Sequence, residues 1–410
     1  MALREGVAKA VGFVNRQQRP FKVNLVRSTI QNFSMTLTQQ YQSIYTVALG
    51  ATAVQLGLVN SIGGIASAAI STPMGWLTSK YGIKRMYLVS TPLWIFSAVL
   101  FALAQNWVMA IPALFLGSLS LRMTLTACSM VCGSYLKSDE RVTGMQLCDT
   151  ISAVPRLFAP MIAAFAITAS GGLTAGGIRP LYLLQAFVMV VMFLVVVRWF
   201  EDPLRGGTGS AKSTGFVEGL NRVFGEGTYV KTWTLYTVFT TLTMMMSGTY
   251  LSVFAQQFRG ADQFVLGTMA AASVLAPLLL SLLVGRLADT FGRRKTIFLL
   301  TPLNILSFML LLYANSPLWL LLSGFFQGFF MLGMITENAM ATELMPVQLL
   351  GSWFGLLGLF RGLAGVTGPL LGGFVWSAFN PNAVLYLLIV LEGVKLLLLL
   401  AVPETLKRSW

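Results

Sequence analysis

The stretch Gly285-Arg286-Leu287-Ala288-Asp289-Thr290-Phe291-Gly292-Arg293-Arg294-Lys295 joins two long apolar segments of the chain. A related stretch, Gly75-Trp76-Leu77-Thr78-Ser79-Lys80-Tyr81-Gly82-Ile83-Lys84-Arg85, joins two apolar segments about half a chain earlier. A short cationic connection between long apolar segments is typical of a tight hairpin between two membrane helices. We therefore predict a membrane protein of two related halves, with a first-half hairpin (75–85) and a second-half hairpin (285–295).

The composition favours a membrane protein and excludes several kinds of site. Of the 410 residues, 56% are hydrophobic and 10% are charged, whereas soluble domains carry roughly 25% charged residues. The chain has no histidine, and its three cysteines lie in apolar segments. Cys128 and Cys132 share a helix face, but small apolar cysteines are common inside helices, so we expect no metal site and no cofactor. Without a phosphate-binding loop or an activated nucleophile, we expect no enzyme.

A membrane-spanning helix needs about 20 mostly apolar residues, and twelve segments of the chain satisfy this requirement. The predicted fold is therefore an all-α polytopic membrane protein with two pseudo-symmetric six-helix bundles. The predicted spans are 28–50, 57–78, 86–104, 108–135, 144–170, 180–199, 232–256, 263–288, 296–315, 317–344, 350–378 and 382–402. The predicted domains are a basic N-terminal segment (1–27), a first bundle (28–199), a linker (200–231) with a short helix near 215–225, a second bundle (232–403) and a tail (404–410).

The placement of the basic residues predicts the orientation of the chain. Most of the 28 Lys and Arg lie at the two ends and in alternate connections, including both hairpins and the linker. Such residues favour the cytoplasmic side, so we expect both termini in the cytoplasm of a multi-pass protein of the cell membrane. Basic loops facing the lipid headgroups also account for the formal net charge of +14 without a nucleic-acid partner.

The second-half hairpin carries the pattern that identifies a family. It resembles the G-x-L-x-D-x-x-G-R-[RK] loop signature of the major facilitator superfamily, and the resemblance extends over the whole chain. The first-half hairpin keeps the glycines but has Ser79 in place of the usual aspartate and Ile83 in place of an arginine. The resemblance implies a secondary transporter that works by alternating access. It also implies a gating role for the hairpin residues, Gly285, Asp289, Gly292, Arg293, Arg294, Glu343, Gly75, Gly82 and Lys84.

Elementary physical arguments assign parts to these gating residues. Gly285 would let two helix backbones approach closely, and Gly292 would permit a sharp turn. Asp289 would face the positive N-terminus of a neighbouring helix such as the eleventh. Arg293 and Arg294 would pair with Glu343 in the next connection on the same side. The alternative is a hairpin whose charges only fix the orientation of the chain.

Charged residues inside the predicted spans suggest the binding site. Arg122, Arg156 and Arg361 lie near the bilayer midplane, where such transporters bind their substrates, and three guanidinium groups favour an anionic solute. The alternative is that each pairs with a carboxylate to hold helices together. Further candidates to contact the solute are polar residues of helices one and seven. They are Gln39, Gln42, Tyr45 and Tyr250.

Proton coupling needs a carboxylate inside the membrane, and Asp149 and Glu337 are the candidates. A permanent salt bridge, for example between Glu337 and Arg361, is the competing interpretation. Glu392 and Lys395 lie three residues apart on helix twelve, so we expect them to neutralise each other.

These residues predict a monomeric secondary transporter, embedded in the lipid bilayer, for a small and anionic organic solute. Its energy would come from an ion gradient, with the proton as the expected coupling ion, by symport or antiport. The first alternative is a proton-coupled exporter of amphipathic drugs. The second, of another class, is a membrane sensor that keeps the transporter fold but does not transport.

Overall fold

The structure is a computed structural model that describes residues 12–136, 141–201, 223, 225, 229–345 and 349–405, and within these residues it contains no strand. The helices of the first half are α1, in the two pieces Arg19–Gln39 and Gln42–Ala48, α2 Ala53–Tyr81, α3 Ile83–Leu103, α4 Ala110–Tyr135, α5 Arg141–Ala169 and α6 Ala175–Trp199. The helices of the second half are α7 Val230–Arg259, α8 Gln263–Phe291, α9 Arg293–Leu312, α10 Pro317–Glu343, α11 Leu350–Ala378 and α12 Pro381–Leu400. The predicted helix near 215–225 lies mostly outside the described residues.

The predicted all-α membrane fold is confirmed. Eleven of the helices are long and apolar enough to cross a membrane. The remaining one, α1, is interrupted at Gln40 and Tyr41 and carries polar residues such as Asn24, Arg27 and Gln31. It begins at Arg19, well before the predicted start of the first span at residue 28. With α1, the two bundles together contain twelve helices. The exact domain boundaries stay a prediction.

Helix packing repeats between the two halves. In the first half α1 packs on α5 and α6, α3 packs on α4 and α6, and α2 packs on α4. The same pairs recur six helices later, where α7 packs on α11 and α12, α9 on α10 and α12, and α8 on α10. The halves meet along α2 with α11 and along α5 with α8, so the contact between them follows the same two-fold relation.

A buried tyrosine joins the halves on one side of the molecule. Tyr41 lies between the two pieces of α1 and is 0% exposed. Its hydroxyl lies 2.8 Å from the carbonyl oxygen of Gln263 at the start of α8, and 3.3 Å from that of Pro160 on α5. We call these three residues the first clasp. Because α8 belongs to the second half, the hydrogen bond to Gln263 connects the two bundles.

The second clasp is the two-fold counterpart of the first. The Tyr250 hydroxyl on α7 lies 2.7 Å from the carbonyl oxygen of Pro369 on α11, and 3.0 Å from that of Ala53 at the start of α2. Tyr250 and Pro369 follow Tyr41 and Pro160 by about half the chain length, and Ala53 precedes Gln263 by about the same distance. The clasps therefore exchange one hydrogen bond in each direction between the halves.

Two glycines make room for the clasps. A Cβ atom at Gly267 would lie 2.9 Å from the Pro160 carbonyl oxygen and 3.2 Å from the Tyr41 hydroxyl. A Cβ atom at Gly57 would collide with the carbonyl oxygen of Pro369. A side chain at either position would therefore force the clasp open.

The halves are joined on the clasp side and separate toward the hairpins. One apolar core cluster contains residues of both halves around the clasps, such as Leu37, Leu266 and Leu385. Toward the hairpin side, the cluster around Tyr87 contains only first-half residues. The cluster around Trp353 lies entirely beyond the first bundle. In the described part of the chain, the structure is thus sealed on the clasp side.

Removing both clasp hydroxyls should loosen this seal. Tyr41→Phe combined with Tyr250→Phe keeps the rings but removes two inter-half hydrogen bonds, each worth about 0.5–1.5 kcal/mol. Spin labels can be attached through Gln105→Cys and Asn315→Cys, at exposed clasp-side positions of the two halves, in a background without the native cysteines. Double electron–electron resonance should then show a larger population of long distances between the labels.

Tyr45→Phe is the matched control for this experiment. The Tyr45 hydroxyl lies 2.7 Å from the carbonyl oxygen of Phe101, so its hydrogen bond stays within the first half. Its loss should leave the distance distribution unchanged. An unchanged distribution in the double clasp variant would contradict a role for the clasps in holding this side closed.

Candidate functional site

Two arginines from different halves lie near each other, and Arg122 is the more exposed of the two. Arg122 is in the middle of α4, and Arg361 is half-buried on α11. Arg361 is close enough to Arg122 and to Glu337 for both charges to act on it. Guanidinium groups bind carboxylates and phosphates well, so an anion between the two arginines would be attracted by both halves at once.

Glu337 belongs to a buried polar cluster of the second half. Its Oε1 atom accepts a hydrogen bond of 2.6 Å from the Tyr236 hydroxyl on α7. Lys395 on α12 places its Nζ atom 4.0 Å from the same oxygen and 3.1 Å from both carboxylate oxygens of Glu392. Asn304 on α9 lies beside Glu392. We call these five residues the acid–lysine cluster; the expected pairing of Glu392 with Lys395 is part of it.

The structure does not bring all the predicted site residues together. Gln39 is exposed at the end of the first piece of α1, and Gln42 is half-buried at the start of the second. The hydroxyls of Tyr45 and Tyr250 are both hydrogen-bonded to backbone carbonyls, as described above. Arg156 is half-buried on α5, one turn before the first clasp. The side chain of Asp149 lies outside the described residues.

The second-half hairpin is anchored through Arg293. This side chain is 19% exposed and forms salt bridges of 2.8 Å with Asp289 and 3.1 Å with Glu343 at the end of α10. The expected pairing of Arg293 with Glu343 is present. Asp289, which was expected to face a neighbouring helix terminus, lies four residues before Arg293 on the other side of the Gly292 turn and pairs with it. At Gly285, an added Cβ atom would meet nothing within 4 Å, so the expected close helix approach is not found there.

A carboxylate from the end of the second bundle completes this anchor. Glu404, beyond α12, accepts hydrogen bonds of 2.8 Å from the backbone N–H of Arg293 and 3.2 Å from that of Arg294. Gly292 has a φ of +113°, and a side chain there would collide with the Glu404 carboxylate. The anionic side chain therefore caps the positive N-terminus of α9. Thr405 donates a hydrogen bond of 2.6 Å to Glu343, which ties the two acids together.

The first-half hairpin lacks such an anchor among its described contacts. Gly82 begins α3 with a φ of +82°, so the turn itself is preserved. Lys84 places its Nζ atom 3.4 Å from the carbonyl oxygen of Val197 on α6. Gly75 lies within α2, but its surroundings are outside the described side chains. The acid that corresponds to Glu404, Glu201, pairs with Arg19 at 2.7 Å, and both side chains are more than half exposed.

Comparison with known proteins assigns the chain to a family. Residues 28–264 and 234–409 match the sequence profile of the Major Facilitator Superfamily. The chain belongs to the major facilitator superfamily. It is 24% identical over 376 residues to the multidrug resistance protein MdtG of Rahnella sp. (strain Y9602), and the match covers 86% of each chain. The family is one of membrane transporters, so the chain is a multi-pass transporter and not an enzyme.

Solved structures of this family share the fold at low sequence identity. The nucleoside transporter NupG superposes with a TM-score of 0.75 at 13% identity, covering 94% of this chain and 98% of that one. A D-xylose–proton symporter superposes with a TM-score of 0.73 at 14% identity, covering 96% of this chain and 99% of that one. These similarities confirm the arrangement of helices on which the site is built.

Sequence reasoning missed several residues that the structure brings forward. Tyr41 and Gly267 were not among the predicted site residues, although Tyr41 forms the first clasp and Gly267 makes room for it. Lys395 was matched to Glu392 alone, because Glu337 lies on another helix. Arg27 was placed in the basic N-terminal segment, yet it is 2% exposed and its guanidinium group stacks 4.4 Å from the centre of the Tyr87 ring. The half-chain spacing of Tyr41 and Tyr250 was the one feature of the sequence that could have pointed to the clasps.

Removal of the Arg293 side chain should destabilise the second half. Arg293→Ala removes the salt bridges to Glu343 and Asp289, a loss that typically costs about 1–3 kcal/mol. Asp289→Asn should cost less than about 1 kcal/mol, because the Asp289 side chain is 63% exposed and water screens its charge. Thermal unfolding of the purified protein, followed by tryptophan fluorescence, measures both changes. Equal melting temperatures for the two variants would contradict the central place of Arg293.

Proposed function

We propose that the chain carries a small organic anion across the cell membrane by alternating access, with the anion bound between Arg122 and Arg361. The proximity of these two guanidinium groups, one from each half, carries the proposal. A carboxylate or phosphate bound by both guanidinium groups would attract the two halves to each other. Arg156, Gln39 and Gln42 stay candidates to contact the solute.

The positive-inside rule supports a cytoplasmic location for the hairpin side and for both termini. The clasp side then faces outward, and the structure corresponds to the state in which the cytoplasmic side is open. Alternating access requires the clasps to break as the hairpin side closes. Tyr45 and Tyr250 are omitted from the proposed binding site because their hydroxyls hydrogen-bond to backbone carbonyls.

Glu337 is the proposed site of proton coupling, with Asp149 as the second candidate. In the absence of solute, Arg361 lies close enough to Glu337 to compensate its negative charge. An anionic solute that attracts Arg361 would leave Glu337 without this compensation, and the excess negative charge in a buried site favours binding of a proton. Solute and proton would therefore bind together, which corresponds to symport.

Binding of anions should depend on both arginines. Mono- and dicarboxylates and phosphate monoesters should raise the melting temperature of the purified protein more than their neutral amide and alcohol analogues. Arg122→Gln or Arg361→Gln should weaken the binding at least about tenfold, the effect of losing one charge-assisted hydrogen bond. Arg286→Gln is the matched control, since it removes one exposed positive charge from the hairpin. Anion stabilisation that survives in both site variants would refute the proposed site.

Proton coupling should depend on Glu337. In liposomes, an anion that passes the binding screen should be taken up faster when a pH gradient is imposed. Glu337→Gln should abolish this acceleration while exchange without a gradient continues, because the amide is neutral in every state. A gradient effect that persists in Glu337→Gln but disappears in Asp149→Asn would move the coupling site to α5.

Export of amphipathic drugs is the second candidate function, favoured by the similarity to the multidrug resistance protein MdtG. The glycine-rich stretch of α11 between Ala364 and Gly373, which resembles an antiporter motif of the family, agrees with it. The same liposome assay separates the two functions. Proton-driven movement of a lipophilic cationic dye, together with no effect of any anion, would favour the exporter.

A further inference from the structure

Within the acid–lysine cluster, one lysine lies closer to one of its two carboxylate neighbours than to the other. The Lys395 ammonium group lies 3.1 Å from both oxygens of Glu392 and 4.0 Å from the nearer oxygen of Glu337. Glu392 precedes Lys395 by less than one turn of α12, so this pair is held by a single helix. Glu337 lies on α10, and its contact with Lys395 depends on how the two helices pack.

The members of the cluster also differ in their access to water. The side chains of Lys395 and Glu392 are 2% and 1% exposed, whereas that of Glu337 is 11% exposed. Water and protons therefore reach the cluster at Glu337. The Tyr236 hydroxyl, 2.6 Å from Glu337 Oε1, holds this carboxylate in place at the open end.

The charges of the cluster do not balance by themselves. Two carboxylates and one ammonium group leave a net negative charge, and burial of an uncompensated charge is costly. Arg361 lies beyond Glu337 and can supply the missing positive charge. When Arg361 turns to another partner, a proton on one of the two acids is the remaining way to restore neutrality.

We propose that Lys395 and Glu392 form a fixed ion pair that sets how readily Glu337 binds a proton, and that the three residues act as one proton-binding site. The inference rests on the proposed function, because it deepens the coupling role of Glu337. Lys395 and Glu392 are positioning residues in this scheme and touch neither the solute nor water. The proton that Glu337 binds comes from water and returns to it as the free ion.

All charged and titratable groups described around Glu337 enter this balance. They are Tyr236 from α7, Arg361 from α11, and Glu392 and Lys395 from α12, while α9 contributes the neutral Asn304. Arg122 acts from α4 through Arg361. Because Glu392 partly neutralises Lys395, the removal of Glu392 alone and the removal of the whole pair must shift the proton affinity of Glu337 in opposite directions.

Infrared difference spectroscopy of the purified protein without any solute tests this inference. Lowering the pH should produce the carbonyl band of a protonated carboxyl group that is missing in Glu337→Gln. The pH at which this band reaches half of its full intensity is the midpoint of the titration. In Glu392→Gln the freed lysine stabilises the Glu337 anion, so this midpoint should fall by about one pH unit or more. In Glu392→Gln combined with Lys395→Met the midpoint should rise by a similar amount, because the nearby positive charge is gone. This double variant buries no unpaired charge.

Glu201→Gln is the control, since it removes an acid whose side chain is 63% exposed in the other half. Its midpoint should equal that of the wild type. A band that persists in Glu337→Gln would overturn the assignment of the proton site. Equal midpoints in the wild type and both cluster variants would overturn the role of the lysine pair. Since no anion is present, failure of the anion-binding screen would leave these outcomes unaffected.

Discussion

A charge or hydrogen-bonding group inside a membrane finds no water, and this constraint governs most of the structure. Several embedded polar residues described above contact protein groups that lie far away in sequence. Tyr41 and Tyr250 hydrogen-bond to backbone carbonyls of other helices. Lys395 lies between two carboxylates, and Arg27 stacks on an aromatic ring. The polar groups therefore dictate which helices lie together, while the apolar residues fill the space between them.

The two halves meet this constraint in different ways at related positions. The half-chain offset that relates Tyr41 to Tyr250 also relates Cys128 to Glu337. In the second half this position belongs to an ionic cluster. In the first half, Cys128 accepts a hydrogen bond of 3.4 Å from Asn24, which in turn contacts Arg27 at 3.1 Å. The halves thus share their helix packing and their clasps, but the two buried acids among the described side chains, Glu337 and Glu392, belong to the second half. The acid–lysine cluster and the anchored hairpin are located in the same bundle.

The sequence was sufficient to predict the helices, because apolar segments of membrane length leave few alternatives. The hairpin glycines, the basic connections and the pairing of Arg293 with Glu343 were also predictable, since they are local or lie in adjacent connections. Contacts between distant helices of the bundle were not predictable from the sequence. The link from Lys395 to Glu337 depends on the packing of α10 against its neighbours. The partners of Tyr41 are main-chain atoms, which leave no trace in the residue types at 160 and 263. The acid expected to face a helix terminus, Asp289, pairs with Arg293 across the turn of its own hairpin.

The acceptors of both clasps are backbone carbonyls, and this has an evolutionary consequence. Ala53 and Gln263 have unrelated side chains, yet the backbone carbonyl oxygen of each accepts a hydrogen bond from the tyrosine of the opposite half. Mutations can therefore accumulate at the acceptor positions without loss of the hydrogen bond, as long as the helix begins at the same place. Only the tyrosines and the small residues beneath them need to be retained. After a duplication, two copies built in this way can diverge widely in sequence and still close against each other.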